Sequence, residues 1–155
     1  MNEPRWLSEA ELRMWITFVE ATHLLERRLE HQLQTDGGLS HAQYDVLSTL
    51  SAAPGRRMRM TELAGRTVVS KSGLTYQVSR LEKAGLVRRE SCATDERGVV
   101  AVLTDTGQRL LDKIAPGHVD TVRDYLIDLM TPEQRAVVDE VMTAVRERVR
   151  KAEHP

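Results

Sequence analysis

Residues 60–103, MTELAGRTVVSKSGLTYQVSRLEKAGLVRRESCATDERGVVAVL, admit few folds because their local signals follow one another in a fixed order. Thr61-Glu62-Leu63-Ala64 opens a short helix, and Val68-Val69 carry a turn. Ser70 stands where a side-chain oxygen caps a second helix, whose apolar positions Leu74, Val78 and Leu81 recur at helical spacing. Gly85 stops that helix where a left-handed residue is needed, and Leu86 is placed to fold back on the last turn. Two strand-like runs follow, 86–90 and 99–103, with Asp95-Glu96-Arg97-Gly98 at the tip between them. Helix, turn, helix and basic hairpin are the parts of a winged helix-turn-helix. A helix fits the major groove of duplex DNA and a narrow basic hairpin reaches the neighbouring minor groove, so the pattern implies double-stranded DNA as the partner.

Charge supports that partner once it is counted locally. The whole chain carries 22 Lys and Arg against 23 Asp and Glu, a net charge of −1. Within residues 54–97 the balance is ten basic side chains to five acidic ones, and the remainder is correspondingly acidic. A basic module in an acidic scaffold is the electrostatic footprint of a protein that presents one face to DNA.

At 155 residues the chain reads as a single domain. No stretch reaches the roughly 18 consecutive apolar residues of a membrane span. The N-terminal MNEPRWLSEAEL has acids and no apolar segment, which argues against a signal peptide, and no membrane is expected as a partner. A lone cysteine, Cys92, fits a reducing cytoplasm.

Outside the module the expected structure is helical. Ser8-Glu9-Ala10-Glu11 is a capping box opening a long helix to about Gln34, where Asp36-Gly37-Gly38 breaks it. Ser40-His41-Ala42-Gln43 is a second capping box, with Leu39 and Tyr44 spaced as a hydrophobic staple, and its helix ends before Pro54-Gly55. Thr104 starts a helix that Pro116-Gly117 should interrupt or kink. Thr131-Pro132-Glu133-Gln134 caps the last helix, which carries Val138, Val141, Val145 and Val149 along one stripe. The first helix carries Leu12, Trp15, Ile16, Val19, Leu29 and Leu33. Two long apolar stripes exceed what so small a module can cover, so a two-fold homodimer built from both termini is expected. The expected fold is therefore mainly α with a small β-wing. A winged helix-turn-helix at about 40–104 is flanked by dimerisation helices at about 8–34 and 106–151.

In this order and spacing, the chain resembles the MarR family of bacterial transcription regulators along nearly all its length. The fragments that carry the resemblance are LSHAQYDVLSTLSAAPG, MTELAGRTVVSKSGLTYQVSRLEKAGLVRR, TDERG and LTDTGQRLL. Asp95, Arg97 and Gly98 match the family's Asp-x-Arg-Gly wing, and Leu103, Thr104 and Gly107 its Leu-Thr-x-x-Gly helix start. The resemblance implies a single MarR-type domain over 1–155, a dimer of triangular shape, and a pseudo-palindromic operator. It also implies a repressor released by a small aromatic or acidic ligand. A ligand-independent regulator or activator of the same fold is the alternative.

With Leu74, Val78 and Leu81 facing inward, Ser72, Thr75, Tyr76 and Ser79 turn toward DNA. Ser70 and Lys71 occupy the helix N-terminus, where backbone N–H groups and a cation suit a phosphate. Ser72 and Thr75 suit base edges, while Arg80 suits a phosphate or the wing. The resemblance assigns Arg97 to the minor groove, with Asp95 orienting it. Tyr76 departs from the arginine often found there. The resemblance also places an effector pocket between the dimer helices and the winged module. Trp15, Val19, His23 and Tyr44 are the candidates, with His23, three residues from Glu26, as partner for a carboxylate.

The five histidines show no His-x-x-x-His pair and no neighbouring cysteine, so neither a metal nor a cofactor is expected. Cys92 lacks a partner thiol and reads as inert. No nucleophile elbow or phosphate loop is present, so the chain does not read as an enzyme.

Overall fold

The computed structural model describes residues 3–67 and 69–153, so Val68 of the expected turn lies outside the described residues. The chain forms two compact units, 1–118 and 119–155.

In the first unit, α1 (Glu9–Gly37) begins on its capping box. The Glu11 N–H donates to Ser8 Oγ at 3.3 Å, and the Ser8 N–H donates to Glu11 Oε2 at 2.7 Å. The helix runs past Gln34 to Gly37, further than the sequence reading. Gly38, at φ 64°, supplies the left-handed cap, and its N–H reaches back to the carbonyls of Gln34 and Leu33. α2 (His41–Ala52) repeats the device with Ser40 and Gln43, at 3.0 and 3.1 Å. A short 3₁₀ turn (Pro54–Arg56) leads to β1 (Arg57–Arg59), then to α3 (Met60–Arg66) and α4 (Lys71–Lys83). β2 (Val87–Cys92), β3 (Asp95–Leu103) and the start of α5 (Asp105–Tyr125) complete the unit.

α4 is bounded as its residues dictate. Ser70 Oγ accepts the Gly73 N–H at 3.1 Å. At the other end Gly85 takes φ 74°, and the Gly85 and Leu86 N–H groups donate to the Glu82 and Leu81 carbonyls, both at 3.0 Å. This pair of bonds satisfies orphan carbonyls and folds Leu86 back onto the core.

The core gathers one apolar stripe from each element. Leu33, Leu47, Leu50, Leu63, Leu74 and Leu81 each keep 1% exposure or less, and Val46, Val78, Val87 and Ile114 pack with them. Full burial of such a side chain stabilises by about 1.5–3 kcal/mol relative to exposure, which holds the three short helices together.

The sheet is antiparallel in the order β1-β3-β2. β1 was absent from the sequence reading because three residues carry too little alternation to read. The hairpin tip also differs. The turn is Ala93-Thr94, and Asp95–Leu103 is strand β3. Ser91 pairs with Val99 but Cys92 with Asp95, so the residues between Asp95 and Val99 are accommodated by a register shift.

At the entry to α5, the Thr104 hydroxyl donates to the Gly85 carbonyl at 2.7 Å and accepts the Gly107 N–H at 3.0 Å. A side chain at Gly107 would meet the Leu86 carbonyl oxygen, which is why only glycine fits this turn. α5 runs through Pro116-Gly117 without the expected interruption. A single missing N–H does not end a helix anchored by buried Leu111 and Ile114.

In the second unit, a 3₁₀ turn (Ile127–Leu129) precedes α6 (Pro132–Glu153). The Thr131 N–H donates to Gln134 Oε1 at 2.9 Å and the Gln134 N–H to Thr131 Oγ1 at 3.3 Å. No described residue of α6 is buried, and its valine stripe is open. Among the described residues no helix is long and apolar enough to cross a membrane.

Candidate nucleic-acid interface

The 3.6-residue period gives α4 two distinct faces. Leu74, Val78 and Leu81 are buried, while Ser72, Thr75 and Tyr76 are exposed and Ser79 is half-exposed. Ser70 stands at the helix N-terminus, its hydroxyl engaged by the Gly73 N–H and 3.4 Å from Ser72 Oγ. Lys71 begins the helix, and its side chain lies outside the described set. Arg80 rests on Tyr76 rather than on the wing. Its Nη1 donates to Tyr76 Oη at 3.3 Å, and its guanidinium carbon lies 5.8 Å from the ring centroid. The planar cation and the aromatic ring stabilise one another and present a joint surface.

The wing sorts its arginines. Arg57 and Arg88 both hold Glu90, at 3.0 and 2.8 Å, and Arg89 holds Glu82 at 3.0 Å. These bonds hold the Glu82 and Glu90 carboxyls below the usual carboxylate range, with Arg89 and Arg88 respectively as the main causes. Arg59 reaches from β1 to the turn, where Nη2 donates to Thr94 Oγ1 at 2.9 Å and Nη1 lies 4.0 Å from Asp95. Asp95 Oδ1 accepts the Arg97 backbone N–H at 3.0 Å. Asp95 thus braces the backbone from which Arg97 projects. The Arg97 side chain is exposed and has no carboxylate within ion-pair distance among the described residues. Arg88 meets Glu90 two residues on along β2, and Arg89 meets Glu82 of α4 across the Gly85 stop, pairings that composition does not show.

Cys92 ends β2 beside the Ala93-Thr94 turn, half-buried, with Sγ 3.3 Å from Thr94 Oγ1. That hydroxyl, then the Thr94 backbone and the Arg59 charge, pull the thiol below its ordinary pKa.

The residues singled out for an effector divide into two places. Trp15, Val19 and His23 lie on α1. Trp15 is 52% exposed and stacked on Phe18 with centroids 6.2 Å apart, Val19 is half-buried, and His23 is exposed. Tyr44, on α2, is half-buried and packs on His118 of α5 at 4.3 Å between ring centroids. Among the described residues no hydrogen bond or ring contact joins Tyr44 to the α1 trio. Glu26, three residues from His23 on α1, accepts from His41 Nδ1 at 2.9 Å, while Glu30 accepts the His41 backbone N–H at 2.7 Å. His118 Nδ1 lies 3.3 Å from Gln32 Oε1, and Gln32 Nε2 donates to Asp36 at 2.8 Å. Burial pushes the Tyr44 phenol up, and burial with the nearby His41 pushes His118 down. His118 and Gln32 were missed because 86 residues separate them in sequence. Among the described residues no group of three or more His, Cys, Asp or Glu side chains is arranged to hold a metal ion.

Comparison with known proteins agrees with this geometry. A sequence model of the MarR family matches residues 37–98. The chain is 48% identical to a MarR family transcriptional regulator from Streptomyces coelicolor solved in complex with DNA. The match covers 95% of this chain and 92% of that one, with a TM-score of 0.91. AbsC, a MarR family transcriptional regulator from the same organism, is 43% identical over 96% of this chain and 99% of its own, also at 0.91. The HTH-type transcriptional regulator PecS of Dickeya dadantii (strain 3937) is 31% identical over 71% of this chain and 66% of its own.

Proposed function

The chain belongs to the MarR family of DNA-binding transcription regulators, and from that premise we propose how its residues divide the work. Ser72 and Thr75 read base edges in the major groove, and Tyr76 with Arg80 flanks them against sugar and phosphate. Ser70 and Lys71 set the helix N-terminus on a phosphate. Arg97 enters the minor groove from the start of β3, whose backbone Asp95 braces. The observation that carries this reading is the sorting of charge: Arg57 and Arg88 share Glu90 and Arg89 holds Glu82, while Arg97 has no ion-pair partner among the described residues. The S. coelicolor relative bound to DNA supports the same partner.

A homodimer follows from the open apolar stripes of α1 and α6, which a second copy would cover. Two-fold protein symmetry then calls for a pseudo-palindromic operator with half-site centres about 10 bp apart. The protein acts as a repressor released by a small aromatic acid that contacts Trp15, Val19, His23 and Tyr44. The second reading is regulation without a ligand, in which Tyr44 serves only to pack on His118. Titration of an aromatic carboxylate against Trp15 fluorescence and operator binding separates the two readings. Parallel changes support ligand release, and unchanged binding supports the second.

Fluorescence anisotropy with the duplex upstream of the gene tests the DNA reading. Binding should weaken steeply with salt, and Thr75→Ala should change discrimination at one base pair by about 1–3 kcal/mol. Equal losses on every operator variant would reduce Thr75 to positioning.

A further inference from the structure

Glu82 is an acid in a place where simple electrostatics disfavours one. It sits in the last turn of α4, where the negative end of the helix dipole repels a carboxylate, and within a module otherwise rich in arginine. Its two oxygens are nonetheless fully engaged. Oε2 accepts the Arg89 backbone N–H at 2.8 Å, and Oε1 accepts Arg89 Nη2 at 3.0 Å and Nε at 3.3 Å. β2 is an edge strand, so that N–H is one the β2–β3 ladder leaves pointing outward. A single side chain therefore joins the recognition helix to both the backbone and the side chain of the wing.

We propose that Glu82 is a positioning residue for DNA reading: it clamps β2 to the end of α4 and so fixes the placement of Arg97 relative to the Ser72–Thr75–Tyr76 face. The inference rests on the reading of α4 and the wing as the DNA-contacting elements. Its chemistry is that of a bidentate carboxylate, rigid because the backbone donor cannot rotate away. The clamp also withholds Arg89 from phosphate, which limits sequence-independent affinity and sharpens the difference between operator and other DNA.

The test is a reversal of sign. If charge alone matters, Glu82→Gln removes a repulsion and tightens all DNA binding, whereas Arg89→Gln weakens it. A clamp predicts that both variants lower affinity for the operator, each by about tenfold. Glu82→Gln should hold or raise affinity for an unrelated duplex, and its salt dependence there should steepen by about one phosphate contact as Arg89 is released. Combined with Arg97→Ala, the Glu82→Gln loss should be less than additive, because a misplaced Arg97 has less to lose. Circular dichroism melting of each variant checks the folded fraction. Glu82→Gln binding the operator as tightly as the wild type, equal losses on both duplexes, or full additivity with Arg97→Ala overturns the clamp. A wild-type protein that does not prefer its operator, or an Arg97→Ala variant that binds undiminished, overturns the DNA reading itself.

Discussion

Helices α2 and α4 of the winged module and α1 and α6 of the arms carry the same kind of side-chain cap, yet the two regions end in opposite states. In the module, Leu47, Leu50, Leu63 and Leu74 are sealed from solvent at 1% exposure or less. On the first half of α1, Leu12, Trp15 and Ile16 remain about half exposed, and on α6 the row Val138, Val141, Val145 and Val149 does the same. Ser8, Ser40, Ser70 and Thr131 all satisfy their N-terminal donors with local hydrogen bonds. Caps therefore decide where a helix starts, and burial decides what it stands against. The core that seals the module also takes in Leu33 of α1 and Leu111 and Ile114 of α5, whereas the first half of α1 and α6 carry apolar side chains that stay open, as the proposed dimer requires.

The largest effect should come from testing that contrast. Leu50→Ala should cost about 2–5 kcal/mol in urea unfolding, because it removes buried methyl groups from a closed core. Val141→Ala should cost under about 0.5 kcal/mol in a dissociated chain, where the position is open. Val141→Asp with Val145→Asp should leave far-ultraviolet dichroism unchanged while sedimentation shifts from dimer to monomer. A monomeric wild-type protein with the same sedimentation as the double variant would end the contrast, and the arms would then be exposed for another reason.

A smaller effect divides the wing itself. Arg97→Ala should lower operator affinity by about 1.5–3 kcal/mol, the range for a hydrogen bond to a charged group. Arg88→Ala should cost under about 1 kcal/mol, because Arg88 is committed to the exposed Glu90 pair and not to DNA. Comparable losses for both arginines in an operator titration would mean that the Glu90 pair opens on binding and that the sorting of charge in the free protein does not persist.

These contrasts also mark what sequence could reveal. Cap boxes, the Leu74-Val78-Leu81 period and the Gly85 stop are encoded within a few residues, and the structure realises each one. The division of α4 into a buried and an exposed face follows from that period alone. What escaped was non-local. β1 is too short for a period to register, and the Ala93-Thr94 turn displaced Asp95 and Arg97 from the tip because a shifted register, not composition, sets the hairpin. Glu26, read only as sharing a helix face with His23, is held by His41 from the next helix, fifteen residues on. Long-range pairing by charge is decided by packing, which no spacing rule records.

The smallest expected effect lies at His118, where the module's closure meets a titratable group. Its imidazole packs on Tyr44, contacts Gln32 and stands 5.9 Å from the His41 ring. Asp36 is hydrogen-bonded to Gln32, and Glu26 to His41. Partial burial therefore disfavours the imidazolium, with the His41 charge adding to the effect, and the folded pKa lies below the ordinary 6.5. The unfolded chain then binds more protons than the folded one between the two values, so stability rises with pH across that window. The contribution is intact above about pH 6.5 and is lost as the pH falls toward the folded value, below which the curve levels. Urea midpoints measured from about pH 8 down to about pH 5 should decline below 6.5 for the wild type. His118→Gln keeps a polar group beside Gln32 and should flatten that decline. An identical decline in both proteins would assign it to other groups and leave His118 a neutral packing residue throughout.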